Sequence, residues 1–435
     1  MCRIKRLSLL RLCRLLPSLL AGGMLCACSA GGAGADDSAR IADSIALADS
    51  LEQVRRVTDL TTEAEEYADS VLRTLDARQM AGMLFMPAVY ARGDGYNLHV
   101  INRYVQDLHV GGLVLLKGDL RGAAMIADTL RALAAPAPFL AVDAENGLRM
   151  RFEDAPEFPW NRELGHLTDD QLLYEFGREL ARECRATGIN MVLGPVIDVV
   201  PGEGSHGLMR RRSLGSDPRR VADLALAYAR GVEDGNVISV AKHFPGHGSA
   251  SADSHRALGE IRADRAVIDS VDLYPFRRYV AEGLSGVMVG HLAVKALDSV
   301  RRPAVVSPVV MQDVLRGQLG FEGLVITDAL NMEGAMGVKG WQAVKAGADM
   351  VIAPSDTRGE ITALVEAMRD GRLDSLVVAD RCRRILFYKY LIGQDHPARL
   401  TDIDNIVHDV HSGAEALRDS IRAGLYRHMN SNLRR

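Results

Sequence analysis

Eight short, almost continuous apolar runs punctuate this chain, and longer amphipathic stretches lie between them. The runs are Met83–Val89, Gly112–Leu116, Phe139–Val142, Asn190–Val196, Ile238–Ala241, Val287–Gly290, Leu324–Thr327 and Met350–Ala353. Runs without a polar alternation suit strands buried on both faces of a parallel sheet. The intervening segments Asp119–Ala134, Thr168–Thr187, Pro218–Asp234, Arg262–Glu282, Ser307–Leu319 and Thr357–Asp370 read as helices. Asp217-Pro218 and Ser307-Pro308 look like an N-cap followed by proline at the first helical position. Strand and helix in alternation predict an α/β fold, a (β/α)8 TIM-like barrel forming a single catalytic domain over residues 79–395. An open doubly wound sheet is the alternative. No G-x-G-x-x-G or Walker A sequence points to a nucleotide.

The flanks read differently. Arg3, Lys5, Arg6, Arg11 and Arg14 precede an apolar run, Leu15 to Leu25, too short to span a bilayer comfortably. Small residues then surround Leu25-Cys26-Ala27-Cys28, so residues 1–27 read as a secretory signal. The Leu-x-Ala-Cys ending resembles a bacterial lipoprotein cleavage box. That resemblance implies a lipid on Cys28 and, with Ser29 rather than Asp following it, an outer-membrane lipoprotein. An ordinary signal peptide cut near Ala30, or an uncleaved anchor, is the alternative. Residues 28–37 form a Gly/Ala-rich tether, 38–78 a helical extension and 396–435 a helical tail. Four of the six cysteines lie in the first 28 residues, so Cys184 and Cys382 are no disulfide framework. Both are expected to be reduced, half-buried helix residues. With 52 basic against 56 acidic residues, a net charge of −4, the chain has no cationic excess for nucleic acid. Its 48% apolar and 25% charged content excludes a disordered or polytopic membrane protein.

Ionisable residues follow the ends of the runs, where a barrel places its chemistry. Asp143 and Glu145 follow the third, Asp198 the fourth, Lys242 and His243 the fifth, His291 the sixth and Asp328 the seventh. Lys242 is one of only seven lysines, so its position is less easily background. The stretch Lys242-His243-Phe244-Pro245-Gly246-His247-Gly248, continuing to Asp253-Ser254-His255, is the densest in the chain. Its histidines invite a zinc reading. Pro245 and Gly246 between His243 and His247 exclude helical registration of the two, however, and no metal or cofactor is expected. Asp328 leaves a buried strand at the barrel mouth, where an ionised carboxylate suits covalent catalysis. A helix N-cap is the plainer role for it.

These motifs, in this order, resemble glycoside hydrolase family 3, in particular its β-N-acetylhexosaminidases. The resemblance runs from about Met80 to Gly393. It rests on Val142-Asp143-Ala144-Glu145-Asn146-Gly147 with Arg151-Phe152, on Gly194-Pro195-Val196-Ile197-Asp198, and on Arg212-Ser213-Leu214-Gly215. The K-H-F-P-G-H-G…D-S-H stretch and Thr327-Asp328-Ala329-Leu330 complete it. The resemblance implies a retaining mechanism with Asp328 as nucleophile, and His255 held by Asp253 as acid/base in place of a second carboxylic acid. It further implies that Asp143, Arg151, Arg212, Lys242 and His243 bind the sugar, with Met332 packing on it. Glu145 is the next carboxylate to consider should the histidine not serve.

The sequence also departs from the family. Ser249-Ala250 stand where the family has Asp-Thr, and Pro201 to Gly207 replace an Asn-Pro-rich segment. The leading expectation is an exo-acting β-N-acetylglucosaminidase acting on cell-wall or glycan fragments and attached to the membrane through its lipid. The alternatives are a β-glucosidase or β-xylosidase, a phosphorolytic enzyme of the same family, and a non-catalytic glycan-binding lipoprotein.

Overall fold

The computed structural model describes residues 37–92, 98–200, 209–248, 250, 258–335, 337–395, 397, 400 and 403–433. The signal, the tether and Cys28 lie outside the described residues, as do Asp253 and His255. Among the described residues no helix is long and apolar enough to cross a membrane.

The strands are β1 (Phe85–Met86), β2 (Ala88–Ala91), β3 (Gly112–Gly118), β4 (Phe139–Val142), β5 (Met191–Val192) and β6 (Ile238–Phe244). They continue with β7 (Gly259–Ile261), β8 (Gly286–Val289), β9 (Leu292–Val294), β10 (Leu324–Thr327) and β11 (Val351–Ile352). Seven form one parallel sheet in the order β10-β8-β6-β5-β4-β3-β2. β1 pairs with β11, and Met350 just before β11 bridges to Ile326 of β10. Pro87 separates β1 from β2 and lacks an N–H, so the first apolar run divides its pairing between β11 and β3. With helices packed outside it, this curled parallel sheet fits a TIM-like domain. β7 and β9 form a small parallel pair of their own.

The principal helices are α1 (Asp37–Leu72), α2 (Leu120–Leu133), α3 (Asp170–Ala186), α4 (Pro218–Asp234), α5 (Leu273–Ala281), α6 (Thr357–Arg369), α7 (Ser375–Leu391) and α8 (Ile406–Leu433). The expected caps form. Asp217 accepts from the amides of Arg219 and Arg220, and Ser307 Oγ accepts from Val310. The helix expected over Arg262–Glu282 forms without a break, as Arg265–Val267 running through a wider π turn, Ile268–Asp272, into α5. α3 and α4 cross closely at Gly177 and Gly231, where an added Cβ would lie 2.1 Å from the carbonyl oxygens of Tyr228 and Tyr174. That crossing seats Tyr228, whose hydroxyl donates to the Ala144 carbonyl at 2.9 Å, directly beneath the site.

α1 packs on α7 through buried Ala64 and Ala68, the Asp69–Arg383 pair at 2.6 Å and the Tyr67–Tyr390 rings. α8 docks on α3, where Arg182 donates to the carbonyls of Asp409 and Val410. Cys184 in α3 and Cys382 in α7 are free thiols. Both are fully buried rather than half-buried, and burial pushes both thiols up.

Candidate active site

β4 and β6 lie near one another across β5 and deliver the centre of the site. The chain leaving β4 places Asp143 and Glu145 at the sheet's C-terminal edge, and then turns at Gly147 with φ +104°. An L side chain there would be strained and would press on the Phe158 ring. Within β6, Lys242 reaches both carboxylates. Its Nζ lies 2.7 Å from Asp143 Oδ1 and 2.8 Å from Glu145 Oε1. Arg151 pairs with the other oxygen of Asp143. Arg212 grips Glu145 through two parallel bonds of 2.9 and 2.7 Å, the fork geometry in which arginine binds carboxylates most strongly.

Electrostatics follow from this packing. Burial favours neutral Asp143, yet Lys242 and Arg151 outweigh it and hold the carboxyl well below its usual range. Burial likewise opposes ionisation of Glu145, and Lys242 and Arg212 bring it down to about 2. Burial would also lower Lys242, but Asp143 and Glu145 keep the ammonium above its ordinary value.

A second buried carboxylate organises the histidines. Asp198 accepts from the backbone amides of His243 and His247 at distances from 2.6 to 3.1 Å, and lies 2.7 Å from His243 Nδ1. The other ring nitrogen of His243, Nε2, faces Arg212 at 3.1 Å. Both ring nitrogens are thus engaged with protein, which does not fit the zinc alternative for His243. Gly248 passes so close to this carboxylate's strand end that a Cβ would lie 1.7 Å from the Val199 carbonyl oxygen.

Asp328 follows β10. Its amide donates to Val289, and its Oδ1 accepts from the adjacent Ala329 amide at 2.8 Å. No helix begins at this position, so the N-cap role does not apply. Burial raises its carboxyl, but His243, His291, the Ala329 amide and Lys242 prevail and hold it below the usual range. It is therefore ionised at neutral pH, the form a nucleophile requires.

One cavity of about 450 Å³ collects Asp143, Arg151, Arg212, Lys242, His243, Asp328 and Met332. Every sugar-binding residue expected from the sequence is thus gathered around the nucleophile candidate. Asp253 and His255, expected as the acid/base, fall outside the described residues. Glu145, held in reserve for that role, is unsuited to it. A carboxyl at about 2, clamped by two cations, has no proton to donate near neutrality.

Sequence reasoning left Asp198 without a role, gave Glu145 only the reserve one, and passed over Trp160 and Arg211. The last two also line the cavity, with the Arg211 guanidinium 6.0 Å from the Trp160 ring centre. Trp160 is 45% exposed and one of only two tryptophans, next to Phe158-Pro159 after a motif already singled out. That rarity was its available signal.

The model of the glycosyl hydrolase family 3 N terminal domain matches residues 78–387. A "Beta-hexosaminidase" of Nitrosospira multiformis is 37% identical over 258 residues, covering 56% of this chain and 73% of that protein. A solved family 3 β-N-acetylglucosaminidase from Paenibacillus sp. str. FPU-7 superposes with a TM-score of 0.69 at 30% identity, covering 78% of this chain and 68% of that one. A β-glucoside phosphorylase, BglX, superposes with a TM-score of 0.76 at 20% identity, over 82% of this chain and 66% of that one, which shows a shared fold. A family match over most of the chain, on a fold shared with these structures, makes this protein a glycoside hydrolase and a member of glycosyl hydrolase family 3.

Proposed function

We propose that the chain is a retaining, exo-acting β-N-acetylhexosaminidase that removes terminal N-acetylglucosamine from cell-wall or glycan fragments. The observation that carries this reading is Asp328, an ionised carboxylate in a cavity shared with Asp143, Arg151, Arg212, Lys242 and His243. Relatives named β-hexosaminidase and β-N-acetylglucosaminidase support the choice of sugar. A cavity of about 450 Å³ suits one terminal ring, hence exo action.

In the first step Asp328 attacks the anomeric carbon and forms a glycosyl ester. The glycosidic C–O bond breaks, and His255, oriented by Asp253, gives its proton to the leaving oxygen. In the second, water attacks the same carbon, His255 takes the water's proton, and Asp328 is released. Asp143 and its cations, together with Arg212 and His243, hold the sugar hydroxyls, and Met332 packs on the ring. Cys28 carries a lipid that tethers the enzyme to the outer membrane.

A panel of 4-nitrophenyl β-glycosides, assayed with and without phosphate, tests the reading. The N-acetylglucosaminide is expected to be the best substrate, with free sugar as product. Preference for the glucoside or xyloside, or a sugar 1-phosphate as product, would replace the proposal by one of its alternatives. Trapping by a 2-fluoro sugar should place the mass increment on Asp328.

A further inference from the structure

The steps proposed above give His291 no part, although it stands beside the strand that carries the nucleophile. It is fully buried and follows Gly290 at the end of β8. Register sets its place. β8 and β10 pair in parallel as far as Val289 and Thr327, and the Asp328 amide adds a rung by donating to the Val289 carbonyl at 2.9 Å. Two residues further along the two chains stand His291 and Ala329. Gly290 lets this end close on β6. Its amide donates to the Phe244 carbonyl at 3.0 Å, and a Cβ there would lie 3.2 Å from that of His243.

The imidazole reaches the turn on which the nucleophile sits. Its Nε2 lies 2.9 Å from the Ala329 carbonyl oxygen. A carbonyl only accepts, so Nε2 carries the proton and donates it. The same carbonyl accepts from the Met332 amide at 3.2 Å, closing a turn from Ala329 to Met332. The amide of Ala329 serves the nucleophile itself and donates to Asp328 Oδ1 at 2.8 Å. Among the described residues no other hydrogen bond reaches that carboxylate. The Met332 amide already satisfies the Ala329 carbonyl, so the backbone does not need a second donor there. An apolar ring would fill the same space without the cost of burying polar nitrogens.

We infer that His291 is a positioning residue for the nucleophile. By fixing Ala329 it aims the Ala329 amide at one oxygen of Asp328 and leaves the other oxygen to attack the anomeric carbon. The inference rests on the reading of Asp328 as the nucleophile of a retaining reaction. Attack requires that oxygen close to the carbon and aligned with it. The Ala329 amide also favours the ionised carboxylate, alongside Lys242 and His243 of β6 and His291 itself, while Asp143, Arg151 and Arg212 face it across the cavity. A loosened turn should therefore slow the first step and let the carboxyl titrate at higher pH.

Two substitutions test this. His291→Phe keeps a ring and removes the donor, whereas His291→Gln keeps a donor near the place of Nε2. Trapping by a 2-fluoro sugar reports the attack of Asp328 alone. The trapping rate constant of the Phe variant is expected to fall about 10- to 100-fold, the cost of a misplaced reacting group. Affinity for the trapping sugar should change little, and the Gln variant should recover most of the rate. The acid limb of kcat/KM should move to higher pH in the Phe variant and return in the Gln variant. A merely structural role would lower the melting temperature and leave the rate and the limb of the folded enzyme where they were. Trapping as fast in the Phe variant as in the unaltered enzyme, or a Gln variant no better than the Phe variant, overturns the inference. Absence of label on Asp328 in the unaltered enzyme would instead sink the retaining reading. Carbon NMR of the Asp328 carboxyl, titrated without substrate, then decides the inference. A higher titration in the Phe variant upholds the hold of His291 on Asp328, and identical titrations refute it. Circular dichroism checks folding. Should the Phe variant not fold, His291→Leu, which also lacks the donor, carries the same comparison.

Discussion

Nη2 of Arg212 lies 3.1 Å from Nε2 of His243. A guanidinium only donates, so the facing nitrogen must accept, and the imidazole proton resides on Nδ1. From there it donates to Asp198 Oδ2 at 2.7 Å. Glu145, Arg212, His243 and Asp198 are thus one connected chain of hydrogen bonds along the edge of the sugar cavity.

Asp198→Asn tests that chain. A buried amide keeps the shape of the carboxylate but presents one acceptor oxygen where three N–H groups converge. At least one buried donor is left unsatisfied, and the imidazole tautomer is no longer enforced. The expected result is a fall in kcat/KM of about 10- to 100-fold, the usual size for loss of a supporting partner. Nitrogen NMR should find Nδ1 of His243 protonated in the unaltered enzyme. Finding the proton on Nε2 would break the assignment.

Asp328 and His255 are assigned different steps, so their losses should look different. Asp328→Ala should lose several orders of magnitude on every substrate, whatever the leaving group. His255→Ala loses proton transfer alone, worth about 10²–10⁴-fold on a poor leaving group. A dinitrophenyl glycoside departs unaided, so its first step should be far less impaired. Azide, which needs no base, should then restore turnover. Equal defects on both substrates, with no azide rescue, would exclude His255 as acid/base.

Local chemistry explains which features could be read before the structure. Phe139–Val142 is apolar throughout and Leu324–Thr327 up to its last residue, and the strands occupy the same bounds. Asn190–Val196 shrinks to Met191–Val192 because Gly194-Pro195 cannot continue a ladder. The cavity residues were legible wherever a compact motif carried them, as with Lys242-His243 and Thr327-Asp328. Glu145 and Asp198 were not, because their roles come from partners 67 and 45 residues away, Arg212 and His243.

Glu145→Gln probes the paired carboxylates through stability. Its folded value of about 2 lies below the 4.5 of a free glutamate, so folding favours the ionised form. That contribution is fully present above about pH 4.5 and is lost as pH falls towards 2, roughly 3 kcal/mol in all. The Gln variant should be destabilised by about this much or more at pH 7, since Arg212 and Lys242 lose their partner. Denaturant titrations at pH 7 and pH 3 should show the gap between the two proteins narrowing in acid. A constant gap would mean that the carboxylate is not held ionised.

The opposite sign is expected at Lys389, on the inner face of α7. Its side chain is 1% exposed, its ammonium lies 5.5 Å from the centre of the Phe139 ring, and no described carboxylate pairs with it. Burial lowers it to about 7 from an ordinary 10.5, against the opposing effect of Cys382. The unfolded chain therefore binds a proton that the folded chain resists between those two values. Stability from this group rises with pH across that window, and the whole penalty, roughly 4–5 kcal/mol, is felt below it. Methionine matches the unbranched stem and removes the amine. Lys389→Met should raise the melting temperature, most at pH 7 and below, and the difference from the unaltered protein should shrink by pH 9. Cys382, with its thiol pushed up by burial, begins to disfavour folding above about pH 9, so the comparison is confined below that point. Thermal unfolding at pH 6, 7, 8 and 9 measures it. A variant less stable than the parent at every pH would show that the ammonium is accommodated in the fold rather than tolerated at a cost.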